Sequence, residues 1–189
     1  MIITLKDSNS VWVGVSMECT YDDISIQDIL HEDNLKMWRV PSAGDCIIAS
    51  LRCDGADIDC LRYQKSLGIP DSLDHKRIIT KVIPKLKHIF EQTDMMDGNE
   101  SWQNIVIAKG DKAFEISPSF VCTEVEDFGV VGSRRRVSVV YGAMKMNSDL
   151  PPAERIADAF RTAQRLKAEI EFPVVIMNTR SKERIVVYE

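Results

Sequence analysis

The chain has 189 residues, a net charge of −5 and an isoelectric point near 5.3. Hydrophobic residues make up 44% and charged residues 28%, which excludes a disordered chain and is enough to build a core without disulfides or metals. The acidic balance speaks against a nucleic-acid binder, and no apolar run approaches the ~20 residues that cross a bilayer.

A single domain over residues 1–189 is expected from this length. The first residues, Met1-Ile2-Ile3-Thr4-Leu5-Lys6-Asp7, lack the basic start and long apolar stretch of a signal peptide, so a cytoplasmic location is expected. Cys19, Cys46, Cys53, Cys60 and Cys122 form no CxxC pair, and His31, His75 and His88 stand at no metal-ligand spacing from them. Free thiols and no metal are the expectation.

In chain order, Ile2 to Lys6 and Val11 to Val15 read as a hairpin around the turn residues Asp7-Ser8-Asn9-Ser10. Residues 18–34 are polar and acidic and read as a long loop. Their acids do not match the spacing of a calcium-binding EF-hand loop, so a solvated loop is expected. Leu35 to Val40 and Cys46 to Leu51 form a second strand pair joined by Pro41-Ser42-Ala43-Gly44-Asp45. Asp57 to Leu67 reads as a helix stopped at Gly68. Asp74 caps the next helix, whose apolar face is Ile78, Ile79, Val82, Ile83, Leu86, Ile89 and Phe90; Pro84 must kink it or start a second helix.

Asn104 to Ala108 and Lys112 to Ile116 flank a Lys109-Gly110-Asp111 hairpin turn, and Phe120 to Val125 adds a strand. Val131 to Met146 reads as a helix beginning around Gly132-Ser133. Pro151-Pro152 opens another, buried along Ile156, Ala159, Phe160, Ala163 and Leu166. Val174 to Met177 and Arg184 to Tyr188 close the chain as strands. Trp12, Trp38 and Trp102 read as packing residues. Blocks of strands alternating with blocks of helices argue for an α+β fold, a four-layer αββα sandwich of two antiparallel sheets between helix pairs.

Three local patterns invite a chemical reading. Gly14-Val15-Ser16-Met17-Glu18 begins like a nucleophile elbow but lacks the final glycine. Arg134-Arg135-Arg136 opens a helix, where three positive charges oppose the dipole, so the run reads as a solvated basic face or a contact surface. Arg135-Arg136-Val137-Ser138 matches a basic-directed phosphorylation site.

The order and spacing of several segments resemble the proteasome β-subunit and HslV family of N-terminal-nucleophile hydrolases. They are the hairpin Ile2-Ile3-Thr4-Leu5 to Val11-Trp12-Val13-Gly14, then Asn34-Leu35-Lys36-Met37-Trp38-Arg39-Val40, and Cys46-Ile47-Ile48-Ala49-Ser50 before Ala56-Asp57. Gly129-Val130-Val131-Gly132-Ser133, Ala153-Glu154-Arg155-Ile156-Ala157-Asp158-Ala159 and Pro173-Val174-Val175-Ile176 continue the likeness. The resemblance implies an N-terminal Thr, Ser or Cys that attacks a carbonyl while its own α-amine takes the proton. It also implies a lysine that tunes this group, and an aspartate and a serine that orient it.

Laid on that pattern, Met1 falls at or just past the nucleophile's place, and Ile2 is a poor neighbour for methionine trimming. The aspartate's place falls on Ser16 and the lysine's on Met37. Lys36 is one residue away, on the other face of a strand. Ser133 is retained, with Arg134 where a glycine usually follows. The resemblance therefore implies a non-catalytic, self-assembling or scaffold subunit, a homo-oligomer with a possible protein or peptide partner and no cofactor. The alternative is a threonine-type peptidase or amidase activated by cleavage before Thr4, which lies 32 residues ahead of Lys36 and would act with Lys36 and Ser133.

Overall fold

The computed structural model describes residues 1–17, 35–51, 59, 61–63, 67–168 and 170–189. The acidic stretch 18–34 and most of the expected helix 57–67 lie outside the described residues.

Twelve strands are described. One sheet, sheet A, contains β1 (Ile2–Asp7), β2 (Ser10–Ser16), β10 (Phe128–Val131), β11 (Val174–Asn178) and β12 (Arg184–Val187) in the order β10-β1-β2-β11-β12. Sheet B contains β3 (Met37–Arg39), β4 (Cys46–Ser50), β7 (Ile105–Lys109), β8 (Lys112–Ile116) and β9 (Cys122–Glu124) in chain order. A small hairpin of β5 (Met96–Asp97) and β6 (Glu100–Ser101) stands apart. Every pairing is antiparallel.

Three helical runs cover the sheets. α1 (residues 75–92) consists of α-helical His75–Arg77, π-helical Ile78–Val82 and α-helical Ile83–Gln92. α2 is Arg134–Met146 and α3 is Pro152–Arg165. Asp74 caps α1 through its carboxylate, which accepts from the Arg77 N–H at 2.8 Å. Pro84 lies where a second α-helical segment starts, one of the two outcomes the sequence allowed. The π turn lets the Ile83 N–H reach the Ile78 carbonyl, and the proline then sits in the first turn of the following α segment.

Period-two alternation sorts the strand residues into three apolar layers. Val11, Val13 and Val15 of β2 meet Ile47 and Ala49 of β4 and Val106 and Ala108 of β7 between the sheets. Ile3, Leu5, Val174 and Ile176 turn outward from sheet A beneath Val140 and Met144 of α2 and Ile156 and Phe160 of α3. Cys46, Ile48, Ile105 and Phe114 turn outward from sheet B beneath Ile78, Leu86 and Phe90 of α1. This is the αββα sandwich the strand and helix blocks implied.

One end of the sandwich is stitched shut by polar groups. Thr179 Oγ1 donates to the Gly110 carbonyl at 2.6 Å and accepts from the Val11 N–H at 3.0 Å, so it joins the two sheets. The Arg39 guanidinium donates to the carbonyls of Asn178 (2.6 Å), Thr179 (3.3 Å) and Ser181. At the other end, where β1 begins, the described residues leave an opening.

Two sequence expectations are corrected. Gly129 to Ser133, likened to a glycine–serine turn, begins within the edge strand β10, and α2 starts at Arg134 rather than Val131. Phe128, Val130 and Val131 are strand formers, but Gly129 and Gly132-Ser133 give the run the look of a turn. β1 nonetheless offers a free ladder edge, and Ile2 through Leu5 pair with Val131 through Phe128. The strand expected over Phe120 to Val125 shortens to Cys122–Glu124 because Phe120 takes a left-handed φ of 60° in the preceding turn.

Gly14 sets how closely α3 approaches sheet A. A Cβ there would lie 2.4 Å from Ile156 Cγ2 and 3.3 Å from Phe160 Cε2. Gly14→Ala should therefore lower the unfolding free energy by about 1–3 kcal/mol through overpacking, measured by urea denaturation. Gly142→Ala, which would meet nothing within 4 Å, should not destabilise.

Candidate functional site

At the open end, the start of β1, the residue after β4, the residue before β7, the loop after β8 and the β10–α2 turn converge. Met1, Leu51, Asn104, Pro118, Gly132, Ser133 and Arg136 line a cavity of ≈ 470 Å³, with Ser101 and Trp102 from the small hairpin on its wall. Leu51 and Asn104 are also tied by a backbone hydrogen bond of 3.0 Å.

Met1 is almost fully buried. It extends the β1–β2 ladder by one pair, its carbonyl accepting from the Ser16 N–H at 3.0 Å. Its amino nitrogen donates to Ser16 Oγ, also at 3.0 Å. The thioether packs against the glycine–serine turn: a Cβ on Gly132 would lie 3.0 Å from Met1 Cε and 3.1 Å from Sδ. Thus Met1, Ser16 and Gly132 come together. Ser133 stands exposed at the start of α2, and its hydroxyl makes no capping bond to the helix.

The other site residues expected from the sequence lie elsewhere. Thr4 sits in the middle of β1, between Val13 and Gly129, fully buried. Lys36 is half-buried just before β3; its carbonyl accepts from the Ser50 N–H at 2.9 Å. Its neighbours Leu35 and Met37 belong to the layer between the sheets, and Met37 is wholly inaccessible. Neither Thr4 nor Lys36 lines the cavity. The Ser138 hydroxyl is engaged within α2, donating to the Arg134 carbonyl at 3.1 Å.

One polar feature was not singled out in the sequence. Glu115 of β8 shares the inward face with Ala113, and its Oε1 is buried without a hydrogen-bond partner. The carboxyl lies against Gly129, where a Cβ would come within 1.9 Å of Oε1. Thr4, the cross-strand partner of Gly129, has an unpartnered Oγ1 as well. Burial pushes the Glu115 carboxyl above the usual range, because the charged form is desolvated with no compensating cation. The signal was present in the alternation of Ala113 and Glu115 on one strand face, where a second apolar residue is the norm.

The described cysteines are poor nucleophiles. Burial raises the Cys46 thiol to about 12 and the Cys122 thiol to about 11, so both stay protonated. Among the described residues no group of three His, Cys, Asp or Glu side chains could hold a metal ion. No described helix is long and apolar enough to cross a membrane.

Comparison with solved structures bears out the fold. BPH from Thiobacillus denitrificans superposes with a TM-score of 0.73 at 17% identity, over 94% of this chain and 96% of that one. Anbu, an ancestral β-subunit, from Yersinia bercovieri gives 0.66 at 11% identity over 100% and 87%. HslV from Trypanosoma brucei gives 0.61 at 11% over 94% and 97%. The chain thus has the fold of the HslV and proteasome-β type. No family model and no curated protein matches its sequence.

Glu115 has a sign-definite pH signature. Its ordinary carboxyl titrates near pH 4.3, and the folded value lies higher. Below ~4.3 both states hold the proton and there is no penalty. As pH rises towards the folded value, ionisation favours the unfolded chain and stability falls, then levels off. Glu115→Gln removes this loss, so its melting temperature relative to the wild type should rise between pH 4 and pH 7 in parallel thermal melts.

Proposed function

We propose that this chain is a non-catalytic, self-assembling subunit built on the HslV/proteasome-β fold. The observation that carries the reading is the occupant of the cleft: a buried methionine whose thioether packs on Gly132. A thioether has no labile proton and cannot do the work of a hydroxyl or thiol that attacks a carbonyl while the α-amine accepts its proton. Met37 supports the same reading. In the layer where the resemblance calls for a lysine stands Met37, whose uncharged side chain does not depress the pKa of a neighbouring amine or hydroxyl. Ser16, at the aspartate's place, can hydrogen-bond the amine but carries no charge.

Self-assembly is supported by side chains left in solvent. Met146 at the end of α2 is 83% exposed, and Tyr141 on the same helix stacks on Phe128 with ring centroids 4.7 Å apart. Exposed large apolar groups of this kind favour a protein partner. The Yersinia neighbour is itself described as a β-subunit.

The competing reading, a threonine peptidase cut before Thr4, requires losing Met1, Ile2 and Ile3. All three are buried, and Ile2 and Ile3 pair on both sides, with Val15 and Gly14 and with Val131 and Val130. Burial of each such side chain is worth about 1.5–3 kcal/mol, so the cut would loosen the strand meant to hold the nucleophile.

BPH has been solved in complex with epoxomicin, which makes epoxomicin the probe of choice. Intact-mass analysis of the purified native chain should show a polypeptide beginning at Met1, with no epoxomicin adduct and no turnover of fluorogenic peptides. A mature chain beginning at Thr4 and carrying the adduct on that residue would overturn the proposal.

A further inference from the structure

A second concavity lies between α1 and the loop from β8 to β9, with a volume of ≈ 540 Å³. Its floor is apolar: Ile79, Ile83 and Pro84 on one side, Phe120 and Val121 on the other. Ile79 and Val121 remain 43% and 59% exposed, so this floor is not covered by the described residues. Its ends are basic or titratable. His75 Nε2 lies 3.2 Å from the Cys122 carbonyl, and the Lys87 ammonium sits 4.8 Å from the centre of the Phe120 ring. Residues 75–92 carry Lys76, Arg77, Lys81, Lys85 and Lys87 against a single acid, Glu91, in a chain whose net charge is −5.

The complement of that surface is in the same sequence. Residues 18–34 hold six acids, Glu18, Asp22, Asp23, Asp28, Glu32 and Asp33, and no Lys or Arg; Ile24, Ile26, Ile29 and Leu30 are interleaved with them. This segment rejoins the described chain at Leu35, beside β3, which is one edge strand of sheet B. The groove lies beside Cys122 in β9, the opposite edge strand. Four strand spacings, roughly 19 Å, separate the two edges.

A segment attached at Leu35 and a receptor groove beside the opposite edge strand suit head-to-tail association, which closes into a ring or propagates as a filament. We propose that residues 18–34 of one copy dock into the groove between α1 and β9 of a second copy. Apolar side chains fill the floor, and carboxylates face Lys87 and the basic side of α1. The inference rests on the self-assembly reading above and names the surfaces that assembly uses.

Charge exchange tests it on the full chain by sedimentation velocity. Two variants are made, H75E/K87E in the groove and D22K/D23K in the segment, each checked for unchanged far-UV circular dichroism and melting temperature. The wild type should sediment as an oligomer. Each variant alone should shift to monomer, with self-association weakened about tenfold or more, as expected when like charges face each other across a contact. An equimolar mixture should reassemble, because each variant's segment then meets a groove of opposite charge.

Variants that each assemble like the wild type would overturn the assignment of surfaces while leaving the assembly reading intact. So would a mixture that stays monomeric. A wild type that is monomeric at every concentration would overturn both.

Discussion

The layer between the two sheets is apolar, and that constraint governs the rest of the molecule. Val11, Val13, Val15, Met37, Ile47, Ala49, Val106, Ala108 and Val175 fill it and are almost wholly shielded from water. A charge placed there without a partner is desolvated, at a cost of several kcal/mol, or loses its proton equilibrium to the surroundings. Strand register follows from this, because a slip of one residue in any strand would exchange its inward and outward sets. The two ends of the sandwich differ for the same reason. Where Arg39 and Thr179 supply polar stitches to backbone carbonyls, the sheets are tied together; at the end where β1 begins, Met1 lines a cavity.

The layering was legible from the sequence because it depends on periodicity. Alternation in Val11 to Val15 and the three-and-four spacing along α1 each state which face is buried, and the order of blocks excludes a doubly wound parallel sheet. The edges were not legible. Phe128, Val130 and Val131 favour a strand, but the sequence does not state its partner, which is β1 from Ile2 to Leu5. The π turn over Ile78–Val82 was hidden for a related reason: the proline announces a new α segment but not the wider turn that leads into it.

At the candidate site the legibility was of another kind. Composition and spacing alone show no catalytic constellation in this chain. Singling out Met1, Ser16, Met37 and Ser133 required the family resemblance. What the structure adds is contact: the thioether of Met1 on Gly132, the amine on Ser16, and Leu35 and Met37 facing inward on either side of Lys36. Glu115 went unnoticed because a lone acid on a strand reads as solvent-facing until the opposite sheet is known. Only the glycine at position 129 makes room for its carboxyl.

Met1 and Met37 are best understood together. A lysine in the inter-sheet layer is useful only if a nucleophile stands close enough to be tuned by it; otherwise it is a desolvated cation with nothing to stabilise. A methionine in that layer carries no such burden and fills similar volume with a flexible apolar chain. Stability and catalysis pull in opposite directions at such a position. Met37 is fully buried in the layer that also holds Leu35, Ile47 and Ala49. Glu115 marks the limit of that trend. Its carboxyl keeps a desolvation cost between the sheets, beside a threonine hydroxyl that also lacks a partner. That carboxyl stands at the edge of the apolar layer, beneath the strand that leads to Gly132 and Ser133.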